Sequence, residues 1–329
     1  MKRKRDLCLL VLALAGLSVY FVQLRFWLTE DPVITSYQLL ADGKAYLPCQ
    51  YRFLVPWTAH AMSVIAPLSL LDAYKLLEMT SVLFLFVTFR YLLGHFYRLR
   101  DPWICAISII YPLLFIYVLP PWARRQPYDI WSVAFTCAGL LLLAKKQYRA
   151  FYPLFALATL NNEKTCFLTV AQLLMLWGDT PKCRLCLHVL AQLIIWTALK
   201  YPLYLYYLGN PQHANTALFM LPVFQNLKWL SSPLNCLFLC SAFGFAWIPV
   251  LFNYHRIDQM TVRRLLWLAI PFCAGMLLVG ILREIRIFGE LTPVVWLAFV
   301  GIFCRRDESV QPSGGGYGSP GAGSPSPHR

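Results

Sequence analysis

Long, mostly apolar runs recur along nearly the whole chain and are separated by short, basic connections. A bilayer core has no water to hydrogen-bond an exposed backbone, so a run of this length reads as a helix that satisfies its own peptide groups while crossing. Composition agrees. Residues are 59% hydrophobic and 13% charged, whereas soluble domains average roughly half apolar and a quarter charged. The predicted fold is an all-α, polytopic transmembrane helical bundle.

The predicted spans are 7–28, 75–94, 103–120, 130–145, 149–161, 164–178, 185–207, 234–253, 264–282 and 288–304. About ten crossings put both termini in the cytoplasm, at a cell inner or plasma membrane. The first run follows MKRKR, is long for a signal peptide and lacks a clean cleavage site, so it reads as a retained signal-anchor. The connections FRYLLGHFYRLRD, AKKQYR, GDTPKCR and NYHRIDQMTVRR are then cytoplasmic and basic, as the positive-inside bias requires. Most acidic residues not beside a basic cluster fall in the opposite set of connections. Residues 147–178 admit either one long helix containing NNEK or a hairpin of two short ones. The basic bias prefers the hairpin. Residues 1–306 thus form one transmembrane domain with an outer loop over 29–74, and 307–329, rich in Gly, Ser and Pro, form a disordered cytoplasmic tail. Within the loop, residues 54–70 predict an interfacial helix anchored by Trp57. The 208–233 connection reads as a second amphipathic interface segment.

The formal net charge is +14, but its Lys and Arg lie mainly between spans, where they fix topology, so nucleic acid is not an expected partner. The eleven Cys fall mostly in apolar runs, where Cys acts as a small hydrophobe. Cys183 and Cys186 form a CxxC with no second ligand pair, so no metal site is assigned.

Candidate chemistry concentrates in the outer connections. Glu30 and Asp31 follow the first span, and Pro32 fixes the turn after them. A carboxylate there could deprotonate a hydroxyl at the membrane surface, or simply end the helix as a solvated pair. Arg124 and Arg125, in PPWARRQPYD, run against the topological bias. Their planar forks suit a phosphate, the alternative being pairing with Asp129 or lipid headgroups. Arg283 and Arg286, in LREIRIFGE, would share a helix face and could grip one phosphate or diphosphate, or form an ion-pair network with Glu284 or Glu290. Glu163 and Lys164 lie at membrane depth, where ionisable groups are costly and have a function or a partner. Tyr51 and Arg52 add an aromatic ring and a cation at the interface.

The layout resembles the GT-C superfamily of integral-membrane glycosyltransferases, which use polyprenyl-phosphate-linked sugars. The similarity lies in a first span followed by a long outer loop that opens on an acid, and in the segments YQLLADGKAY (37–46) and QYRFLVP (50–56). The resemblance implies interfacial helices in the first loop and a carboxylate base at its start, here Asp31 with Glu30 beside it. It also implies a donor lipid phosphate held by basic residues of later loops, for which Arg124, Arg125, Arg283 and Arg286 are the candidates. The acceptor, whether glycan, lipid or protein, is left open, and no cofactor is implied. The acidic pair is ED rather than D-x-D, and no sizeable soluble domain follows the last span. Two other classes compete: a transporter or flippase for an anionic lipid or solute, and a non-catalytic membrane scaffold. Transporters tend to carry polar residues at mid-membrane in paired repeats, and neither feature is evident here.

Overall fold

The computed structural model describes residues 2–31, 35–120, 123–210 and 222–304. The Pro32 turn, the middle of the 208–233 connection and the 307–329 tail lie outside the described residues. Among the described residues the regular structure is all helical, with no strand beyond one isolated bridge between Glu30 and Arg124.

Helix α1 (Lys2–Leu28) leads into a loop of three short helices, α2 (Tyr37–Ala41), α3 (Leu47–Gln50) and α4 (Leu54–Ile65). Then come α5 (Leu70–Phe96), the broken pair α6 (Pro102–Ile107) and α7 (Ile110–Tyr117), and α8 (Asp129–Ala144). The next are α9 (Tyr148–Asn161), α10 (Cys166–Leu176) and α11 (Lys182–Tyr206). The remainder is α12 (Val223–Leu230), α13 (Pro233–Cys240), α14 (Trp247–Phe252), α15 (Met260–Leu266), α16 (Ala269–Val279) and α17 (Thr292–Phe303). Local chemistry sets several starts. Ser69 caps α5 by accepting from the Asp72 amide at 3.1 Å, and Asp72 itself lies in the first turn, where the helix dipole favours a negative charge. Pro102 and Pro293 occupy first-turn positions, where the missing N–H costs nothing.

Among the described residues, five helical stretches are long and apolar enough to cross a membrane: Arg5–Leu28, Leu70–Phe96, Lys182–Gly209, Met260–Val279 and Ile285–Phe303. The molecule is therefore an all-helical membrane protein. The other expected spans coincide with shorter or interrupted helices. Pro102–Tyr117 and Asp129–Ala144 are apolar but short. The 234–253 stretch breaks at Phe243 and Gly244, whose φ values of 59° and 63° belong to the left-handed region, free for glycine and strained for Phe243.

Residues 147–178 form two helices rather than one. Asn162 is extended (φ −157°, ψ 138°) and ends α9. Asn161 reaches the hydroxyl of Ser132 in the first turn of α8, whereas Leu168 in α10 lies against Gly139, further along α8. Helix α10 therefore turns back and runs antiparallel to α9. With 14 and 11 residues, the two arms are about 21 and 16 Å long, against roughly 30 Å of hydrocarbon.

The main apolar cluster is centred on α5, α8 and α17, and a smaller one of Tyr37, Val55, Ala59, Ala73, Tyr74 and Tyr128 lies under the first loop. Phe86, Phe89 and Leu92 from α5, Ile130, Val133 and Cys137 from α8, and Val294 and Leu297 from α17 are all buried. Close packing reaches the backbone at Gly289, where a Cβ would lie 1.6 Å from the Tyr117 hydroxyl and 2.6 Å from the ring carbon bearing it. Gly289→Ala should therefore cost about 1–3 kcal/mol through overpacking. Gly16→Ala, which meets nothing within 4 Å, should be neutral or slightly stabilising. Thermal unfolding in detergent compares the two.

Candidate functional site

The polar clusters of distant connections meet at one end of the bundle. Helix α1 ends as the Thr29 amide and hydroxyl both bond the Arg25 carbonyl. The chain then runs beside residues 123–125. The Glu30 amide donates to the Ala123 carbonyl at 3.4 Å, and the Arg125 amide donates to the Glu30 carbonyl at 3.0 Å. This bridge sets Glu30 and Asp31 alongside Arg124 and Arg125. Glu30, Asp31 and Arg124 are exposed. Arg125 is half-buried, donates to the Phe26 carbonyl and lies 4.5 Å above the Phe26 ring. Partial burial raises the Asp31 carboxyl above its ordinary value, and the positive charge of Arg125 partly offsets the rise.

Beneath this rim lies a buried ion network. Arg25, fully buried in α1, donates to Glu78 of α5 at 2.5 Å and to Asp129 of α8 at 3.2 Å. Asp129 takes a second guanidinium, Arg286, at 3.2 Å, and Arg286 also pairs with Glu284 at 2.5 Å. Arg25 and Arg286 thus share one carboxylate. Burial pushes the Glu284 carboxyl up, but Arg286, Arg124 and Arg52 together hold it below the usual range, so all three cations act on this acid.

Two further ion pairs tie the hairpin to its surroundings. Arg52 grips Glu163 bidentately at 2.5 and 3.2 Å and stacks 4.6 Å over the Tyr128 ring. Burial acts to raise the Glu163 carboxyl, yet Arg52, with help from Lys200, holds it down at about 2. Lys164 pairs with Glu290 at 2.6 Å and donates to the Ile287 carbonyl at 3.2 Å. Asn161 and Asn162 both donate to the Ser132 hydroxyl, at 2.9 and 3.0 Å. Tyr51 packs against the rings of Tyr204 and Tyr207, and its carbonyl accepts from Lys200 at 3.0 Å.

Several expectations change. Arg283 and Arg286 do not share a helix face. Gly280 is extended (ψ 162°) and ends α16, so Arg283 sits in an exposed turn while Arg286 lies in the 3₁₀ helix Ile285–Leu291. Arg286 is spent on Asp129 and Glu284, the ion-pair alternative. Arg52, Glu163 and Lys164 are likewise engaged with protein partners. Asp129 is the partner of Arg25 and Arg286, not of Arg124 or Arg125. Arg25 and Glu78 were not among the expected site residues. A signal was present, because Arg25 is the lone charge of the 7–28 span and Glu78 lies inside the 75–94 span, where a charge implies a partner.

Arg25→Met should destabilise the fold by about 3–5 kcal/mol, since it leaves Glu78 buried without its cation. Adding Glu78→Met should restore part of the loss. Glu163 also predicts a pH effect. Its folded pKa is depressed, so the pair stabilises fully above the ordinary glutamate value and fades as pH falls through that value towards about 2. The melting-temperature gap between wild type and Glu163→Gln should accordingly be widest near neutral pH and close in acid.

Set against models of protein families, curated proteins and solved structures, the chain matches none.

Proposed function

We propose that the protein is a membrane glycosyltransferase of the GT-C kind, with about ten crossings and interfacial helices in its first outer loop. It takes a sugar from a polyprenyl-phosphate-linked donor at the extracytoplasmic face. What supports the reading is the bridge between residues 30 and 123–125, which sets a partly desolvated carboxylate beside a pair of arginines at the mouth of a buried ion-pair network. General-base catalysis asks for a carboxylate of this kind, with a pKa lifted towards the working pH. A phosphate leaving group asks for guanidinium groups where its charge develops.

In this reading Asp31 removes the proton from the acceptor hydroxyl as that oxygen attacks the sugar carbon. The bond from that carbon to the phosphate oxygen breaks, and the lipid phosphate leaves with the charge. Arg124 and Arg283, both exposed, meet the phosphate. Arg125 and Arg286 each keep a buried Nε–H with no acceptor among the described residues, a donor that an anion at the mouth could engage. Arg52, Glu163, Lys164 and Tyr51 shape the cluster rather than touch the donor, and Glu30 stands beside the base.

The saturation of Arg52, Lys164 and Arg286 by internal carboxylates favours a second reading, a scaffold whose charges only hold the bundle together. Release of polyprenyl phosphate from labelled polyprenyl-phosphate sugars separates the two. Wild type should release it and Asp31→Asn should not, although the variant still binds donor within about twofold, a difference under 0.5 kcal/mol. Arg124→Ala should weaken donor binding about tenfold, or about 1.4 kcal/mol. The acid limb of turnover should lie above the ordinary aspartate range, because the protonated, inactive form of Asp31 persists to higher pH. Release by neither protein from any donor supports the scaffold.

A further inference from the structure

We propose that a cavity of about 620 Å³ between the first-loop helices and the end of α11 binds a neutral saccharide. It is walled by Phe53 and Trp57 on one side and by Tyr206 and Tyr207 on the other, with Asp42 among the lining residues. Phe53 and Trp57 stack at 5.7 Å with 26° between their planes, while Tyr206 and Tyr207 meet edge-on at 85°. Trp57 and Tyr206 remain 57% and 78% exposed, so these rings are open to a ligand. Pyranose rings present C–H faces to aromatic walls and hydroxyls to acids and phenols. Such a site is mostly apolar with a few fixed polar groups, and tyrosine and tryptophan supply an apolar body with a polar tip.

The polar groups narrow the ligand class. Asp42 accepts from Gln38 at 2.8 Å through one carboxylate oxygen, leaving the other for a ligand hydroxyl. Gln50 and Asn210 are buried and help fix the floor. Gln50 accepts from the Ala45 amide and donates to the Leu40 carbonyl and the Tyr207 hydroxyl, at 2.9, 3.2 and 3.4 Å. Asn210 donates to the carbonyls of Gly43 and Ala45 at 3.1 and 3.3 Å. The walls are therefore held before a ligand arrives, which lowers the cost of binding. No lysine or arginine lines the cavity among the described residues, so an acid with no cation beside it disfavours a phosphate or carboxylate. A quaternary ammonium also suits rings and a carboxylate, but it would fill only a small part of the volume. A disaccharide falls within the roughly 300–1,000 Å³ of ordinary small-molecule sites.

The cavity adjoins the charged cluster without belonging to it. Gln50 and Phe53 line it, while Arg52 between them turns to Glu163 and Tyr128. That the bound saccharide is the acceptor rests on the glycosyltransferase reading. The binding itself does not.

Isothermal titration of the full chain in detergent tests it, with maltose, cellobiose, lactose and N,N′-diacetylchitobiose as probes and choline chloride alongside. At least one disaccharide should bind wild type and bind tenfold or more weakly to both Trp57→Ala and Asp42→Asn. Trp57→Phe should retain most of the affinity, and Arg124→Ala all of it. The proposal is overturned if no disaccharide binds, if Asp42→Asn and Trp57→Ala bind as wild type does, or if choline alone binds. Sensitive disaccharide binding in a protein that releases no polyprenyl phosphate would sink the enzymatic reading and leave the cavity assignment standing.

Discussion

Asp129 accepts from two guanidinium groups that come from opposite ends of the sequence, Arg25 in the first helix and Arg286 just before the last. All three side chains are largely shielded from solvent, where an unpaired charge would be prohibitively costly. The requirement to pair them brings α1, α5, α8 and the Ile285–Leu291 turn to one level. Apolar packing of α5 and α17 against α8 supplies bulk cohesion and, being non-directional, is more tolerant of small shifts. The ions are not, because a shift of a few ångströms would strand a charge.

Around this centre the polar residues form two tiers. The lower tier is paired internally: Arg25, Glu78, Asp129, Arg286, Arg52, Glu163, Lys164 and Glu290 form ion pairs with one another, and Asn161 and Asn162 bind the hairpin to Ser132. The upper tier, Glu30, Asp31, Arg124 and Arg283, faces outward. The lower tier, in which four cations face four carboxylates, fixes positions, and the upper tier is in contact with solvent. The same side-chain types serve both tiers, and only depth separates them.

The sequence made the helices legible because their signal is local. An apolar run and its basic flanks are read from adjacent residues, and even the NNEK hairpin could be inferred from charge bias. The convergence of acids and arginines at one end was legible for the same reason. Pairing was not. Arg25 meets Glu78 and Asp129 across long stretches of chain, and nothing local says which acid a buried arginine will find. Arg283 and Arg286 were misjudged because spacing implies a shared face only while a helix continues, and Gly280 ends it. The first-loop cavity was invisible for a related reason. Its far wall comes from α11, far along the chain from α4.

The hydrogen bonds between Glu30 and residues 123–125 are made by amides and carbonyls, with the Arg125 side chain bound separately to Phe26. Main-chain bonds ignore side-chain identity, proline excepted. Rim side chains other than Arg125 can therefore be exchanged while the main-chain bridge between the two segments stays in place. Over evolutionary time such a frame lets charge, size and reactivity at the mouth drift independently of the architecture beneath. New specificities could then arise there by single substitutions without first rebuilding the fold.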